Sequence, residues 1–364
     1  MAVAKAAIKS GVATKKIKDW EKYRIELSER IGSNQKTIRL IHDRSKEDPK
    51  KIIFAEADQL NVLKAAQIVL EEGIGIPILL GNKDTIVNLM NSINFHNKIE
   101  IIDPKSDTQN QKRKFYASIF WEEQKRNGIT EYEANSRLRD RNYFGAMMVK
   151  NGDADAMLSG YSRSYPSVVK PIIQIIGKSK GVSRIAAANI MLTDRGPIFL
   201  SDTALNINPD SKELTAIAIM CSDLVKMFGI EPIIAMLSYS NFGSSKFEDA
   251  EKVKKAVKYL HKVKSDLIVD GPIQSDFALN PEMLNERFPF SSLAKKKVNT
   301  LIFPNLDSAN ISYKLMKELN NNSSIGPVLL GLSYPVHVIQ LEASVEEIVN
   351  MAAIAVIDAQ KKNK

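Results

Sequence analysis

Cysteine occurs once in these 364 residues, histidine four times and tryptophan twice. A lone Cys221 leaves no intramolecular disulfide, so the fold does not depend on oxidation, and a reducing, cytoplasmic setting fits. It also leaves no multi-cysteine zinc site. His42, His96, His261 and His337 are scattered without metal-ligand spacing, so no metal is expected. No apolar run approaches the ~20 residues that cross a bilayer, so no membrane partner is expected either. No Walker lysine motif occurs and no G-x-G-x-x-G follows a strand, which removes the usual nucleotide loops.

Acidic side chains are outnumbered: 42 against 51 basic ones, a net charge of +9. The lysines are spread along the chain, without an aromatic-interleaved stripe, a zinc finger or an RNA-recognition signature. That pattern reads as a solvated basic surface rather than a nucleic-acid site, and a phosphorylated small molecule is the better partner. The first 18 residues are rich in alanine and lysine and hold no acid, as in a transit peptide. They also hold no arginine, and they run into Asp19-Trp20-Glu21-Lys22-Tyr23, so an amphipathic helix over 19–30 is expected instead of a leader.

At roughly 150 residues per domain the length suggests two domains or three. Ile52-Ile53-Phe54-Ala55 reads as a buried strand. The spacing of Leu60, Leu63, Ala66, Val69 and Leu70 predicts a helix over 60–72, and Ile76-Pro77-Ile78-Leu79-Leu80-Gly81 a second strand. Such a βαβ unit has parallel strands covered on both faces. Helices are expected over 109–128 and, as one element, over 131–151. Strands are expected over 154–160, 185–191, 198–200, 233–238, 266–270, 299–303, 327–330 and 336–341. Pro166 and Pro171 suit a helix's first turn. Asp210 with Glu213 predicts a capping box ahead of a helix over 213–228, and a last helix is expected over 344–360. The class is α/β throughout.

In open α/β sheets ligands bind at the carboxyl ends of strands. Four such ends are rich in small polar residues: 159–164, 201–209, 238–245 and 304–310. The third, Ser238-Tyr239-Ser240-Asn241-Phe242-Gly243-Ser244-Ser245, precedes a helix near Glu248. Its hydroxyls and N–H groups suit an anion, or a loop that satisfies itself; spacing leaves both open. The carboxylates of 152–155 read as a solvated turn, and Met147, Met148 and Met351 as core.

Several segments carry a specific resemblance over about 38–362. They are Phe54-Ala55-Glu56-Ala57-Asp58, Gly152-Asp153-Ala154-Asp155-Ala156 with Ser159-Gly160, Ala235-Met236-Leu237-Ser238-Tyr239-Ser240, Asp270-Gly271-Pro272-Ile273-Gln274, Ile302-Phe303-Pro304-Asn305-Leu306 with Asn310, and Ile325-Gly326-Pro327. The chain resembles the phosphate acetyl/butyryltransferase family. More narrowly, Arg141-Asn142-Tyr143-Phe144-Gly145, 240–245 and Val336-His337-Val338-Ile339-Gln340-Leu341 resemble the C-terminal acetyltransferase-like part of multidomain NADP-dependent malic enzymes, and 1–37 the helical end of their oxidoreductase region. The resemblance implies a two-lobed, three-layer αβα fold with mostly parallel sheets, isocitrate/isopropylmalate dehydrogenase-like, with the second lobe inserted in the first. Lobe one would be 38–179 plus 330–364 and lobe two 180–329.

The reaction implied moves an acetyl group between coenzyme A and phosphate. It needs a base for the thiol, donors for the oxyanion and cations for phosphate. Active members resemble one another in a late Asn-Asp-Leu-Ser-Arg-Gly motif with a following aspartate and two further arginines. Here the serine position holds Gln340, its arginine Leu341, the aspartate Glu347, the upstream arginine Gln124 and the pre-proline arginine Lys170. One lost oxyanion donor costs roughly 10²–10³ in rate, Leu341 donates nothing, and Lys170 lacks the planar fork. Acyl-CoA binding can survive such losses. The ligand-binding candidates implied are Ser159, Gly160, Arg163, Ser238, Ser240, Asn241, Gly243, Ser244, Ser245 and Asn310.

The expectation is an acetyl-CoA-binding regulatory part of a malic enzyme, a homodimer or larger. Oxidative decarboxylation of malate to pyruvate with NADP would fall to a region outside this chain. Acetyl-CoA or CoA and phosphate-type molecules are the expected ligands, and a malic enzyme oxidoreductase chain is the partner that the resemblance implies. An active phosphate acetyltransferase is the alternative, and a structural or nucleic-acid role a third.

Overall fold

The computed structural model describes residues 2–13, 17, 19, 20, 23, 33–320 and 324–362. Apart from 19, 20 and 23, the helix expected over 19–30 lies outside the described residues.

The chain first lays down β1 (Lys51–Phe54), β2 (Ile76–Leu80), β3 (Glu100–Ile102) and β4 (Ala156–Ser159). It then builds β5 (Ala186–Thr193), β6 (Gly196–Ser201), β7 (Ile233–Leu237), β8 (Ile268–Ile273), β9 (Thr300–Ile302) and β10 (Ser324–Leu330), and ends with β11 (Val336–Val338). Two sheets result, in the orders β11-β4-β1-β2-β3 and β10-β5-β6-β9-β7-β8. The first is parallel throughout. In the second, β6, β9, β7 and β8 run parallel, while β5 is antiparallel to both neighbours. The chain therefore leaves the first sheet after β4, completes the second, and returns to pair β11 with β4. The second lobe is inserted in the first, as expected.

Helices cover both faces of each sheet, giving three layers per lobe. The two-faced burial is visible along β1 and the residue after it: Ile52 and Phe54 face one core, Ile53 and Ala55 the other. A single apolar cluster runs from Ile52 and Leu79 of the first sheet through Met351 and Ile354 of helix Val345–Lys362, and on to Leu224 of helix Ser211–Met227 and Ile190 of the second sheet. The hydrophobic core thus does not stop at the lobe boundary. Helix Ser33–Ser45 crosses the same junction. His42 Nε2 lies 2.9 Å from Asn350 Oδ1, while Arg44 Nη1 donates to the Met227 carbonyl at 2.7 Å.

Local chemistry sets the element ends. Asp210 and Glu213 form the expected capping box, and Thr130 with Glu133 a second one. The helix expected over 131–151 is two, Glu131–Arg137 and Arg141–Lys150, because the Asp140 side chain accepts the Asn142 N–H and starts a new helix. Pro166 opens helix Tyr165–Ile175, whereas Pro171 lies inside it rather than at a start. The 152–155 carboxylates hold structure: Asp153 accepts the Tyr116 hydroxyl, and Asp155 accepts the Lys51 N–H at 2.9 Å. Met147, Met148 and Met351 are core.

Candidate functional site

Each lobe shapes one strand-end loop around a buried carboxylate. Glu56, just past β1 and 1% exposed, accepts the backbone N–H of Gly160 (2.7 Å), Tyr161 (2.6 Å) and Ser162 (3.3 Å), and the Ser162 hydroxyl (2.7 Å). Buried carboxylates must be paired or hydrogen-bonded, and here the loop after β4 supplies the donors. Gly160 has a φ of +114°, and a Cβ there would sit 2.7 Å from the Ile339 carbonyl and Val338 Cγ1, so only glycine lets β11 approach. In the second lobe the buried Asp202, just past β6, accepts the N–H groups of Ala187 (3.2 Å), Ala204 (3.0 Å), Leu205 (3.1 Å) and Asn206 (3.0 Å).

These loops face each other across a cavity of about 560 Å³. The first lobe lines it with Gly160, Arg163, Tyr165, Val338 and 339–341. The second lobe contributes Asn189, Thr203, Ala204, Asn310, Tyr313, Lys317 and Pro327, among others. A larger cavity of about 710 Å³ lies at the other end of the second sheet, beside the β5–β6 turn and Asn299, away from the strand ends where ligands bind in such sheets.

A hydrogen-bonded bridge spans the cleft. Gln340 Nε2 donates to the Tyr313 hydroxyl, and Gln340 Oε1 accepts from Lys317 Nζ at 3.2 Å. The same ammonium donates to Glu347 Oε1 at 3.2 Å. The other Glu347 oxygen accepts the Ser344 N–H (2.8 Å) and hydroxyl (3.0 Å), capping the last helix. Burial works against the Glu347 carboxylate, but the Ser344 N–H, the Lys317 charge and the Ser344 hydroxyl outweigh it and hold the carboxyl below its ordinary range. An acid held so firmly ionised is a weak proton acceptor. Leu341 is 61% exposed at the cleft and offers no polar atom.

Of the residues singled out in the sequence, Gly160, Arg163, Asn310, Gln340 and Leu341 line the cleft, and Glu347 joins it through Lys317. Arg163 pairs with Asp140 at 2.5 Å, and Asn310 Nδ2 donates to the Thr203 carbonyl at 3.0 Å. Ser159 is turned beneath the floor, its hydroxyl donating to Asn142 Oδ1 at 2.6 Å. Gln124 and Lys170 do not line the cavity: Gln124 Nε2 donates to the Gln174 carbonyl at 3.2 Å, in the last turn of the helix that carries the exposed Lys170. The 238–245 loop does not line it either. Ser240 Oγ lies 2.8 Å from Ser244 Oγ, Tyr239 Oη 3.0 Å from Ser245 Oγ, and Asn241 Nδ2 donates to Gln274 Oε1 at 2.8 Å.

Sequence reasoning missed Tyr165, Asn189 and Lys317 as cleft residues. Asn189 carried a signal, an amide inside the apolar run Ala186-Ala187-Ala188-Asn189-Ile190-Met191. Tyr165 and Lys317 carried none, because folding alone brings helix Tyr165–Ile175 and helix Leu306–Asn320 to the same cleft.

The Phosphate acetyl/butaryl transferase family matches residues 36–356. The chain belongs to this family. Among its relatives, the NADP-dependent malic enzyme of Salmonella typhimurium is 36% identical over 99% of this chain and 48% of that protein. The chain thus spans about half the length of the curated malic enzymes it matches. The phosphate acetyltransferase of Thermoanaerobacterium thermosaccharolyticum is also 36% identical, over 89% of this chain and 99% of its own. Among solved structures, a phosphotransacetylase from Streptococcus pyogenes superposes with a TM-score of 0.82 at 34% identity, covering 90% of this chain and 99% of that one. The two-lobed family fold therefore extends to this chain. Among the described residues no group of His, Cys, Asp and Glu could hold a metal, and no helix is long and apolar enough to cross a membrane.

Proposed function

We propose that this chain is an acetyl-CoA-binding regulatory module of a malic enzyme, in which transfer of the acetyl group to phosphate has been lost. The observation that carries the reading is the state of the late motif. Leu341 offers no donor where the family resemblance puts an arginine. Gln340 is held by Tyr313 and Lys317. Glu347 is held by Ser344 and Lys317. A base, a donor and a phosphate cation are thus all compromised in one place, and losses of that kind need only act together to suppress turnover. The cleft persists with a volume in the range of small-molecule sites. The match to malic enzymes over 99% of this chain, N-terminal residues included, supports attachment to an oxidoreductase region that uses malate and NADP.

On the same reading the lobes divide as 38–179 plus 330–364 and 180–329, preceded by a helical segment over 1–37, and the setting is cytoplasmic. Ile311, Leu315 and Leu319 form an exposed stripe at helical spacing on Leu306–Asn320. That stripe supports a homodimer or larger assembly, in which acetyl-CoA regulates by favouring one lobe arrangement over another.

Two measurements on the purified chain test the proposal. Calorimetric titration should give saturable heat with acetyl-CoA, and a coupled assay with acetyl-CoA and phosphate should give no acetyl phosphate above background. Turnover near that of active family members overturns the regulatory reading in favour of a working phosphate acetyltransferase.

A further inference from the structure

Two side chains at the cleft retain hydrogen-bonding capacity that nothing else in the described structure uses. Asn189 in β5 is 2% exposed, and its Oδ1 accepts the Thr203 hydroxyl at 2.6 Å. That bond turns Nδ2, with its two N–H groups, away from Thr203, and among the described residues Nδ2 finds no partner. Tyr165, from the opposite lobe, ends in a buried hydroxyl that likewise finds none. Burial and the nearby Asp202 carboxylate push its pKa up, so it stays a protonated donor. Both residues line the same cavity.

Buried donors without acceptors are uncommon, and each one is unfavourable. Two in one cleft, one from each lobe, point to an acceptor atom that both reach. Its charge is constrained. Neither donor is cationic, and the buried Asp202 carboxylate beneath the 204–206 loop adds negative charge to the second lobe's side of the cleft. Of the cations that line the cleft, Lys317 pairs with Glu347 and Arg163 with Asp140, while Lys314 is exposed to solvent. Because both leftover donors are neutral, a carbonyl oxygen fits them better than a phosphate oxygen.

We infer that the Tyr165 O–H and the Asn189 Nδ2–H groups receive the thioester carbonyl oxygen of an acyl-CoA, and so let the cleft tell acyl-CoA from free CoA. This rests on the proposal that the cleft takes acyl-CoA, and it adds how the acyl group is recognised. The two molecules share everything except the acyl group. A site whose buried donors are left unpaired by the free thiol rejects it, and selectivity of that origin exceeds what a methyl pocket provides.

The test is calorimetry of the full chain with acetyl-CoA and, separately, with CoA. The wild-type chain binds acetyl-CoA at least tenfold more tightly than CoA, about 1.4 kcal/mol. Tyr165→Phe lowers acetyl-CoA affinity about tenfold, leaves CoA affinity within about twofold, and does not lower the ligand-free melting temperature, because the hydroxyl it removes bonds nothing in the free chain. Asn189→Asp, which replaces the donor by an acceptor, acts in the same direction. With acetyl-CoA labelled at the carbonyl carbon, the thioester stretch shifts to lower frequency on binding, and the shift shrinks in Tyr165→Phe. Equal affinity for the two ligands, with acetyl-CoA binding untouched by Tyr165→Phe, overturns the inference and leaves the binding proposal standing. Binding of neither ligand overturns both.

Discussion

The 238–245 loop and the floor of the interlobe cleft are both rich in small polar side chains at strand ends, yet they use hydrogen bonds differently. In the loop, serine meets serine, tyrosine meets serine and asparagine meets glutamine. At the cleft, backbone groups are gathered by Glu56 and Asp202 while the donors of Tyr165 and Asn189 are left over. On the proposed reading, hydroxyl density alone does not mark the site; polar capacity that the fold sets up and does not consume marks it.

The strongest way to break this contrast is Glu56→Ala. It strips the acceptor from three N–H groups and a hydroxyl, and leaving such groups unmet costs about 3 kcal/mol or more. Urea unfolding reads it directly; a loss no larger than that of a surface substitution shows that the carboxylate does not hold the 160–162 loop. An intermediate effect belongs to Glu347. Its folded pKa lies below the unfolded one, so its stabilisation is complete above the ordinary carboxylate value of about 4.3 and is lost as pH falls through the lower folded value. Thermal melts of wild type and Glu347→Gln should therefore differ by about 1–2 kcal/mol near neutrality and converge in acid; a gap that widens in acid contradicts the assignment. The smallest effect is expected from Ser244→Ala, within about 0.5 kcal/mol and without change in acetyl-CoA affinity. A marked loss of affinity there would move the ligand toward the loop and erase the contrast.

Much of the scaffold could be read from residue patterns, because β1, β2 and β4 are continuous apolar runs and Asp210 with Glu213 announces its helix. β3 escaped notice: at Glu100–Ile102 it is a three-residue strand at the edge of its sheet, too short for periodicity to register. The strand expected over 336–341 stops at Val338, since β4 ends at Ser159 and offers no further partner. The residues freed, Ile339, Gln340 and Leu341, line the cleft together with Val338 at the strand's end. That Tyr165 and Asn189 line one cavity lay beyond any linear pattern, since one opens a helix of the first lobe and the other sits in a strand of the second sheet.

That junction has a mechanical consequence. The apolar cluster shared by helix Val345–Lys362 and helix Ser211–Met227 joins the lobes as an oily bearing rather than a slack tether. Tilting one lobe away from the other would wet that surface, at about 25 cal/mol for each Å² uncovered. The resting angle is therefore sprung: small rocking is cheap, wide gaping is not, and a molecule entering between the lobes works against a restoring force that its own contacts must balance.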